Sequence, residues 1–173
     1  KTHVAKAIAD AMCMTMYKIP VSEAQEGFYL SGSQRGYSNA TPGRIADRMS
    51  ICDFANPILL LDEIDKAPLE TSGDRKGLLA PLLQLFEPES SSEFRDLCLD
   101  VRIDASRVSY ICTANSIENI PSPLISRCRV IEIDRPCAKL MEEIAATIFC
   151  ETYKRFAGNE VDKSFIFSAS AKA

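Results

Sequence analysis

The residues with the clearest chemical potential are two adjacent carboxylates, Asp62 and Glu63, which directly follow an apolar run at 58–61. A short run that is apolar throughout predicts a strand buried on both faces of a mainly parallel sheet. The two carboxylates would then lie at the carboxyl end of that strand, the edge where open α/β sheets bind ligands. At that edge an aspartate can hold Mg²⁺ and a glutamate can orient or deprotonate an attacking water, as phosphoanhydride hydrolysis requires. The alternative is a buried strand that ends in a solvated acidic turn.

A second polar pair, Lys1 and Thr2, opens a helical pattern in which Val4, Ile8 and Met12 share one face. Lys-Thr at a helix start is the end of the phosphate-binding motif G-x-x-x-x-G-K-[ST], in which the lysine reaches the β- and γ-phosphates and the hydroxyl binds Mg²⁺. The glycine loop of that motif is not in the sequence, so the pair alone is also compatible with an ordinary polar first turn. Its position ahead of the apolar-Asp-Glu strand is the order expected in ATPases.

The bulk composition is that of an ordinary globular chain. Its 173 residues are 46% hydrophobic, enough for one core, and the length suggests one domain or one domain with a fragment. A net charge of -4 and a pI of 5.1 give no overall basic footprint for nucleic acid, although a local basic patch stays open. No run approaches the roughly 18 apolar residues of a membrane helix, and no signal pattern begins the chain, so we expect a cytoplasmic protein without a membrane partner.

The cysteine and histidine content argues against several other kinds of site. The seven cysteines are odd in number and none is spaced as C-x-x-C, which indicates thiols of a reducing compartment rather than a disulfide framework. The single histidine, His3, argues against a Cys/His zinc site. A serine hydrolase is not supported either, because the sequence contains no G-x-S-x-G elbow.

The first half of the chain carries one strand signal and one helix signal beside the apolar run. A strand over 17–21 contains Pro20, which favours an edge position because proline donates no backbone hydrogen bond. A loop rich in serine and glycine follows over 31–43. Thr41 is then the predicted N-cap of a helix over 42–52, with proline at its first position.

The second half begins with an apolar helix over 78–86, which must kink at Pro81 or begin properly near Ala80. The other predictions for this half are a serine-rich loop over 87–93, a strand or hairpin over 97–103, strands over 108–112 and 129–133, and a helix over 138–156.

Four features now stand in a fixed order along the chain: Lys1-Thr2, Asp62-Glu63, Asn115 and Arg127. This is the order of Walker A, Walker B, sensor 1 and arginine finger in AAA+ ATPases, and the chain resembles the ATPase module of Lon proteases. The resemblance covers about 1–133 and is specific, because one accidental motif could not also set the distances among the others. The matching segments are PGRI at 42–45, LLLDEIDK at 59–66, LLQLFEPE at 82–89, FRDLCLDV at 94–101, TAN at 113–115 and IPSPLISR at 120–127.

The resemblance implies an α/β fold, the three-layer P-loop NTPase sandwich of AAA+ proteins with a mainly parallel central sheet. We expect the ATPase core at 1–136 and the beginning of a small helical lid, with a tail, at 137–173. In this fold a strand precedes Walker A and lies between the strands that end at Asn115 and Ile133. That first strand is missing from the sequence, so we expect that these residues do not make a complete domain alone.

The resemblance also implies roles for the residues at the phosphate end of the site. Lys1 would neutralise the β- and γ-phosphates of ATP, and Thr2 with Asp62 would hold Mg²⁺. Glu63 would polarise the lytic water. Asn115 would hydrogen-bond that water or the γ-phosphate, a task that suits a neutral side chain with both a donor and an acceptor.

The family's arginine finger implies a ring. Arg127 would reach the nucleotide of the neighbouring subunit, where a cation stabilises charge on the transferring phosphoryl group. We therefore expect a homohexamer, the assembly of the family. Arg129, two residues on, is the rival finger, and Arg127 is favoured because its register after IPSPLIS matches the family.

Tyr37 falls where Lon-like ATPases carry the aromatic of the pore loop that grips an unfolded polypeptide, although Ser38 replaces the apolar residue that usually follows. The function that the resemblance implies is Mg²⁺-dependent hydrolysis of ATP to ADP and phosphate, coupled to unfolding or remodelling of a polypeptide. The alternatives are a non-hydrolysing nucleotide-dependent scaffold and a nucleic-acid motor or loader. Peptidase activity is not supported within this chain, because no Ser-Lys dyad can be assigned.

Overall fold

The structure of this chain is a computed structural model, and it divides into two units. The first unit spans 1–131 and the second begins at Glu132. The residues that the structure describes are 1–36, 38–70, 77–134 and 137–157.

The first unit is built around a small parallel sheet. Its strands, in chain order, are β1 (Met16–Pro20), β2 (Ile58–Asp62), β3 (Phe94–Asp96), β4 (Val101–Ile103) and β5 (Ser109–Cys112). β1, β2 and β5 form the parallel sheet with β2 in its centre, and β3 and β4 form a separate antiparallel hairpin. The predicted edge position of the strand that carries Pro20 is confirmed among the described residues, since β1 pairs with β2 alone.

Helices precede, separate and follow these strands along the chain. They are α1 (Thr2–Ala11), α2 (Phe28–Ser31), α3 (Arg44–Ser50), α4 (Leu79–Phe86), α5 (Pro88–Ser91), α6 (Ser122–Ile125) and α7 (Ala138–Ala157), with 3₁₀ turns at Val21–Glu23 and Ile64–Lys66. Two helix predictions are confirmed closely: α4 begins just ahead of Pro81, and α7, in the second unit, covers the predicted 138–156. Among the described residues, no helix is long and apolar enough to cross a membrane.

The central strand is buried on both faces, as the apolar run predicts. Each of its residues from 58 to 61 is at most 1% exposed. Leu59 and Leu61 belong to the main core, together with Ile45 of α3 and Leu82 of α4. Because side chains alternate along a strand, Ile58 and Leu60 turn to the opposite face. The sheet is therefore covered on both sides, as a three-layer α/β fold requires.

The first helix contacts β2, but it does not bury the face that its sequence pattern indicates. Ala5 and Ala9 are each 2% exposed, whereas the larger side chains of Val4, Ile8 and Met12 are 40–54% exposed. The apolar face that these three residues share is therefore not the face that packs against the sheet. Alanine has no side chain beyond Cβ, so its face lets the helix backbone come close to the sheet.

The helix predicted to begin at Pro42 begins two residues later, at Arg44. Its N-cap is Gly43, with no side-chain cap, so the predicted capping by Thr41 is wrong. Thr41 instead closes the preceding loop: its N–H donates to Ser33 Oγ at 2.8 Å and its carbonyl accepts from Ser33 N–H at 3.1 Å. The N–H of Gly43 donates to the buried carboxylate of Asp96 at 2.8 Å, which caps the helix from the hairpin.

Two further predictions need correction around the hairpin. The serine-rich segment 87–93 is not simply a loop, because α5 lies within it with Pro88 at its start and serine hydroxyls that donate to backbone carbonyls of the preceding turn. The hairpin predicted over 97–103 begins at Phe94, three residues earlier, and pairs Phe94 with Ile103.

The strand predicted over 129–133 is wrong, because no strand is present there among the described residues. Val130, Ile131 and Ile133 are 48–71% exposed. A strand needs a neighbour to accept and donate its backbone hydrogen bonds. In the described part of the chain β5 pairs with β2 alone, so this segment has no partner strand beside it.

Candidate functional site

The predicted site residues collect where β2 and β5 end. Asp62 is the last residue of β2, and Glu63 follows it at the start of a 3₁₀ turn. The segment after β5 runs alongside: Thr113 N–H donates to Leu61 O at 3.0 Å, and Ile64 N–H donates to Thr113 O at 2.9 Å. The parallel pairing therefore brings the two strand ends to one edge of the sheet, as the fold class predicts.

The carboxylate of Asp62 is the most densely contacted group at this edge. Its Oδ1 accepts from the hydroxyl of Thr113 at 2.6 Å and from the hydroxyl of Thr2 at 3.2 Å. Its Oδ2 lies 2.6 Å from the ammonium of Lys18 on β1. The hydrogen bond from Lys18, and then that from Thr113, hold the pKa of Asp62 below its ordinary value of 3.8. Asp62 is therefore an anion at neutral pH and a good partner for a cation.

Glu63 is held in an uncommon backbone conformation, with φ 56 and ψ 50 in the left-handed region. For a residue other than glycine this region costs about 1–2 kcal/mol, so the surrounding contacts must impose it. Its N–H donates to Thr113 Oγ1 at 3.0 Å, and its Oε1 accepts from the ammonium of Lys66 at 2.6 Å. That bond raises the pKa of Lys66. Thr113 thus bridges the two acidic residues through one hydroxyl.

The Lys-Thr pair lies beside the same strand ends. The ammonium of Lys1 donates to the backbone carbonyl of Ala114 and to Asn115 Oδ1, the latter at 3.1 Å. Thr2 reaches Asp62, as described above. The five predicted site residues of the phosphate end therefore form two sets of polar contacts, Lys1 with Asn115 and Thr2 with Asp62 and, through Thr113, Glu63.

Charged groups of both signs surround this edge. The exposed ammonium groups of Lys18 and Lys66 are paired with the carboxylates of Asp62 and Glu63. The ammonium of Lys1 contacts the neutral oxygens of Ala114 and Asn115, so it is the cation that is placed to pair with a phosphate. This arrangement could bind a nucleotide and activate a water molecule beside it.

Arg127 does not lie in this network. It follows α6, where its guanidinium donates to Pro123 O at 3.1 Å and lies 4.0 Å from a carboxylate oxygen of Glu87. None of these contacts joins it to the other predicted residues. Arg129 is also exposed, so burial does not separate the two arginines.

Tyr37 lies outside the described residues, but its loop is described on either side. The loop is closed at its base by Ser33 and Thr41. Arg35 donates from Nε and Nη2 to two backbone carbonyls in the turn between β3 and β4, at 2.8 and 2.7 Å. The loop is thus anchored to the hairpin close to Tyr37.

Sequence patterns did not single out three residues of the site: Lys18, Lys66 and Thr113. Thr113 stood in the TAN motif directly after a predicted strand, and its place at a strand end could have singled it out. Lys66 lies three residues after Glu63, a spacing at which side chains meet in a helical turn. Lys18 gave no local signal, because its position depends on the β1–β2 register that places it beside Leu60.

The donor set fits a magnesium ion that is bound together with a nucleotide. Asp62 and Thr2 offer hard oxygen atoms, which Mg²⁺ prefers, and Mg²⁺ is commonly held by one or two carboxylates and the substrate phosphates. Within the described residues no group of three or more His, Cys, Asp or Glu could hold a metal alone. The ammonium on Asp62 Oδ2 shows that this carboxylate already attracts positive charge.

Comparison with known proteins agrees with this geometry. The family model described as the ATPase family associated with various cellular activities (AAA) matches residues 1–135. The chain belongs to the AAA family of ATPases. Within the family it is a Lon-like AAA+ module, because its relatives include Lon proteases of bacteria and of mitochondria.

Two of these relatives define the extent of the likeness. The chain is 37% identical over 133 residues to Lon protease 2 of Hydrogenovibrio crunogenus, covering 77% of this chain and 15% of the relative. It is 36% identical over 160 residues to the mitochondrial Lon protease homolog of Saccharomyces cerevisiae, covering 92% of this chain and 14% of the relative. The AAA+ module thus spans about one seventh of the length of these curated relatives.

A solved structure supports the fold. A cryo-EM reconstruction of the closed state of Hsp104 with ATPγS and FITC casein matches with a TM-score of 0.68 and 18% identity, covering 90% of this chain and 30% of that chain. At this identity the likeness shows the fold alone. Together with the parallel sheet and its flanking helices, it confirms the predicted P-loop NTPase class.

Replacing Lys18 with methionine tests the electrostatics of the site. The pKa of Asp62 should rise toward 3.8, because the variant removes the largest cause of its depression. The linked stabilisation is present above the unfolded pKa of Asp62 and is lost as the pH falls through the lower folded pKa. The pKa of Lys18 is raised above 10.5, so its contribution is present below that value and is lost as the pH rises through the folded pKa.

The stability difference between wild type and this variant should therefore be level from about pH 4 to about pH 10 and should shrink on both sides. Carboxyl titration by NMR and urea unfolding across this range would measure both effects. Lys6→Met, at an exposed lysine of α1, is the matched control. An Asp62 pKa that is the same in both variants would contradict the assigned role of Lys18.

Proposed function

We propose that this chain is the ATP-binding and ATP-hydrolysing core of a Lon-like AAA+ machine that unfolds or remodels polypeptides. The observation that carries the proposal is the hydroxyl of Thr113, which joins Asp62 and Glu63 at the same sheet edge where Lys1 meets Asn115. Membership of the AAA family and the likeness to Lon proteases support it.

In the proposed reaction Lys1 binds the β- and γ-phosphates of ATP. Its ammonium then exchanges the oxygens of Ala114 and Asn115 for phosphate oxygens, which frees the amide of Asn115 to hydrogen-bond the lytic water. Glu63 orients this water and accepts its proton as the oxygen attacks the γ-phosphorus. The bond to the β-γ bridging oxygen breaks, and ADP and phosphate form.

Thr2 and Asp62 would hold Mg²⁺ in this site. When bound with ATP, Mg²⁺ supplies positive charge that offsets the charge of the phosphates. Asp62 serves this role because hydrogen bonds keep it ionised at neutral pH. The ion pair between Lys18 and Asp62 is the contact that Mg²⁺ would weaken most, since the ammonium and the metal ion would share one carboxylate.

We further propose a homohexameric ring in which Arg127 acts on the nucleotide of the adjacent subunit. One support is that Arg127 lies outside the hydrogen-bond network around Asp62 and Glu63 of its own chain. A second is its contact with Glu87, which at 4.0 Å is weak enough to be replaced by a contact with a phosphate. The arginine would stabilise negative charge on the transferring phosphoryl group.

Tyr37 is proposed as the residue that contacts a polypeptide substrate. Its loop is held at its base and is tied to the hairpin by Arg35, which suits a segment that transmits movement of the domain to a substrate. Ser38 offers no apolar surface beside it, so the contact with substrate depends on the tyrosine ring.

Two further expectations stay predictions: the cytoplasmic location and the boundary of the ATPase core at residue 136.

Two alternative functions can be distinguished from the proposed one by experiment. A nucleotide-dependent scaffold would bind ATP without turnover, and the presence of Glu63, Asn115 and Arg127 argues against it. A nucleic-acid motor would show salt-dependent DNA binding. The net charge of -4 favours a polypeptide over a polyanion.

Replacing Glu63 with glutamine in the full-length protein tests the hydrolytic role. The amide cannot accept the proton of water, so ATP turnover should fall about 100-fold or more. ATP binding should persist, because the amide oxygen can still accept from Lys66. Turnover can be measured by phosphate release and binding by a fluorescent ATP analogue, with Glu70→Gln, at an exposed position, as the control.

Mixing subunits that carry different substitutions separates the hydrolytic role of Glu63 from the proposed action of Arg127 on the adjacent subunit. Glu63→Gln subunits retain Arg127, and Arg127→Ala subunits retain Glu63, so mixed rings should recover turnover that neither variant shows alone. Arg129→Ala should behave like wild type. Unchanged turnover in Glu63→Gln would overturn the hydrolytic assignment, and absence of recovery on mixing would overturn the finger in trans.

Replacing Tyr37 with alanine tests the substrate contact. Basal ATP turnover should stay near the wild-type rate, because the residue is assigned no part in hydrolysis. Stimulation of turnover by an unfolded protein such as casein should be lost. Ser38→Ala is the matched control in the same loop. Full stimulation in Tyr37→Ala would remove Tyr37 from the proposed contact.

A further inference from the structure

Asp96, at the end of β3, is a buried carboxylate that accepts hydrogen bonds from two different segments. The residue is 0% exposed. Its Oδ2 accepts from the N–H of Gly43 at 2.8 Å, and its Oδ1 accepts from the N–H groups of Cys98 and Leu99 at 2.9 and 2.8 Å. A buried carboxylate is stable only when it is hydrogen-bonded, so these three bonds fix its position. Asp96 therefore joins the start of α3 to the turn between β3 and β4.

The chain enters and leaves the Tyr37 loop, residues 33–41, beside this carboxylate. Gly32, just before the loop, has φ 80, in the left-handed region that favours glycine. A Cβ atom at Gly32 would lie 2.8 Å from Asp96 Oδ1 and 3.0 Å from the backbone N of Gly43, which follows the loop. The two ends of the loop are therefore packed against one side chain, and glycine at position 32 allows this close approach.

Arg35, within the Tyr37 loop, makes a second attachment to the same turn. Its Nε donates to Cys98 O at 2.8 Å and its Nη2 donates to Leu99 O at 2.7 Å. Cys98 and Leu99 therefore donate their N–H groups to Asp96 and accept at their carbonyls from Arg35. Because a guanidinium holds its donors in a fixed fork, two such bonds set the orientation of the loop against the turn.

We propose that Asp96 is the positioning residue of the polypeptide contact, because it holds both ends of the Tyr37 loop against the turn between β3 and β4. Arg35 makes the second attachment, two residues before Tyr37. The loop then moves with the hairpin as one unit, and the place of its contact with a polypeptide follows from the hairpin. This inference rests on the proposed role of Tyr37 and extends it, since it assigns the residues that set where the contact is made.

The nucleotide site is held together by other bonds. Thr113 N–H donates to Leu61 O at 3.0 Å, and the hydroxyl of Thr113 donates to Asp62. The three bonds to the carboxylate of Asp96 come instead from the N-cap of α3 and from the hairpin turn. A change at Asp96 should therefore act on the polypeptide contact and leave basal ATP turnover near the wild-type rate.

Replacing Asp96 with asparagine in the full-length protein tests the attachment. The amide keeps one acceptor oxygen and replaces the other with an NH2 group, which cannot accept from a backbone N–H. The casein concentration that gives half-maximal stimulation of ATP turnover should rise about tenfold, while the KM for ATP and the basal kcat stay near the wild-type values. Asp100→Asn is the matched control, because this exposed carboxylate pairs with Arg95 and asparagine tolerates its φ of 59.

Arg35→Met gives a second test at an exposed position, where a substitution should leave the core intact. Methionine keeps an unbranched stem but removes both hydrogen bonds to the turn. The half-maximal casein concentration should rise here too, with basal turnover again unchanged. Arg102→Met is the matched control, since this exposed arginine of β4 pairs with Glu93 outside the loop.

Hydrogen exchange measured by mass spectrometry reports the attachment without any ATP turnover. In both variants the peptides that span 33–43 and 97–100 should exchange faster than in wild type, because contacts between the loop and the turn are lost. The peptide that contains β2 should exchange as in wild type, which separates a released loop from a destabilised core.

Unchanged half-maximal casein concentrations in both variants would overturn the proposal, as would an equal rise in the two controls. If Asp96→Asn does not fold, Arg35→Met decides between these outcomes by itself. If casein does not stimulate the wild-type protein, the proposed role of Tyr37 fails, and hydrogen exchange then decides the attachment alone. Unchanged exchange over 33–43 in both variants would contradict it.

Discussion

The hydrogen bonds that converge on Asp62 are the interaction on which the rest of the site depends. The buried strand β2 delivers this carboxylate to the sheet edge, and the hydroxyl of Thr113 ties it to the neighbouring strand end at 2.6 Å. The same hydroxyl receives the N–H of Glu63. One neutral group therefore fixes the carboxylate of Asp62 and the backbone of Glu63, and the charge of both side chains stays available for chemistry.

The two carboxylates are kept chemically distinct by different cations. Asp62 is paired with Lys18 across the sheet, and the lowered pKa of Asp62 keeps this carboxylate ionised at neutral pH. Glu63 is paired with Lys66 of its own turn. An ion pair at an exposed position is weak and exchanges readily. Glu63 can therefore leave Lys66 for a water molecule, while the more sheltered Asp62 keeps its hydrogen bond from Thr113. This asymmetry is what the proposed site, with one metal-binding acid and one base, requires.

The central strand of the fold could be predicted from the sequence, whereas positions that depend on neighbouring strands or helices could not. The apolar run before Asp62 specifies a buried strand regardless of its neighbours, so this strand and its acidic end were predicted correctly. Lys18 was missed because its role depends on strand register, which no local pattern encodes. Thr113 directly follows a predicted strand, and this position could have singled it out. The packing face of α1 could not be read from its pattern, because Ala5 and Ala9 carry a weak apolar signal yet allow close approach. The strand predicted over 129–133 was wrong, because no described strand lies beside this segment to pair with its backbone.

The central claim, that the Thr113 bridge builds a site for Mg²⁺ and ATP, is tested most directly by calorimetric titration of ATP into the full-length protein with and without Mg²⁺. Valine at position 113 keeps the shape but neither donates nor accepts a hydrogen bond. In Thr113→Val we predict that ATP affinity in the presence of Mg²⁺ falls about tenfold or more, as expected for the loss of hydrogen bonds to a charged group. Affinity without Mg²⁺ should change little, and Thr113→Ser should match wild type. Equal Mg²⁺ dependence in all three proteins would contradict the account.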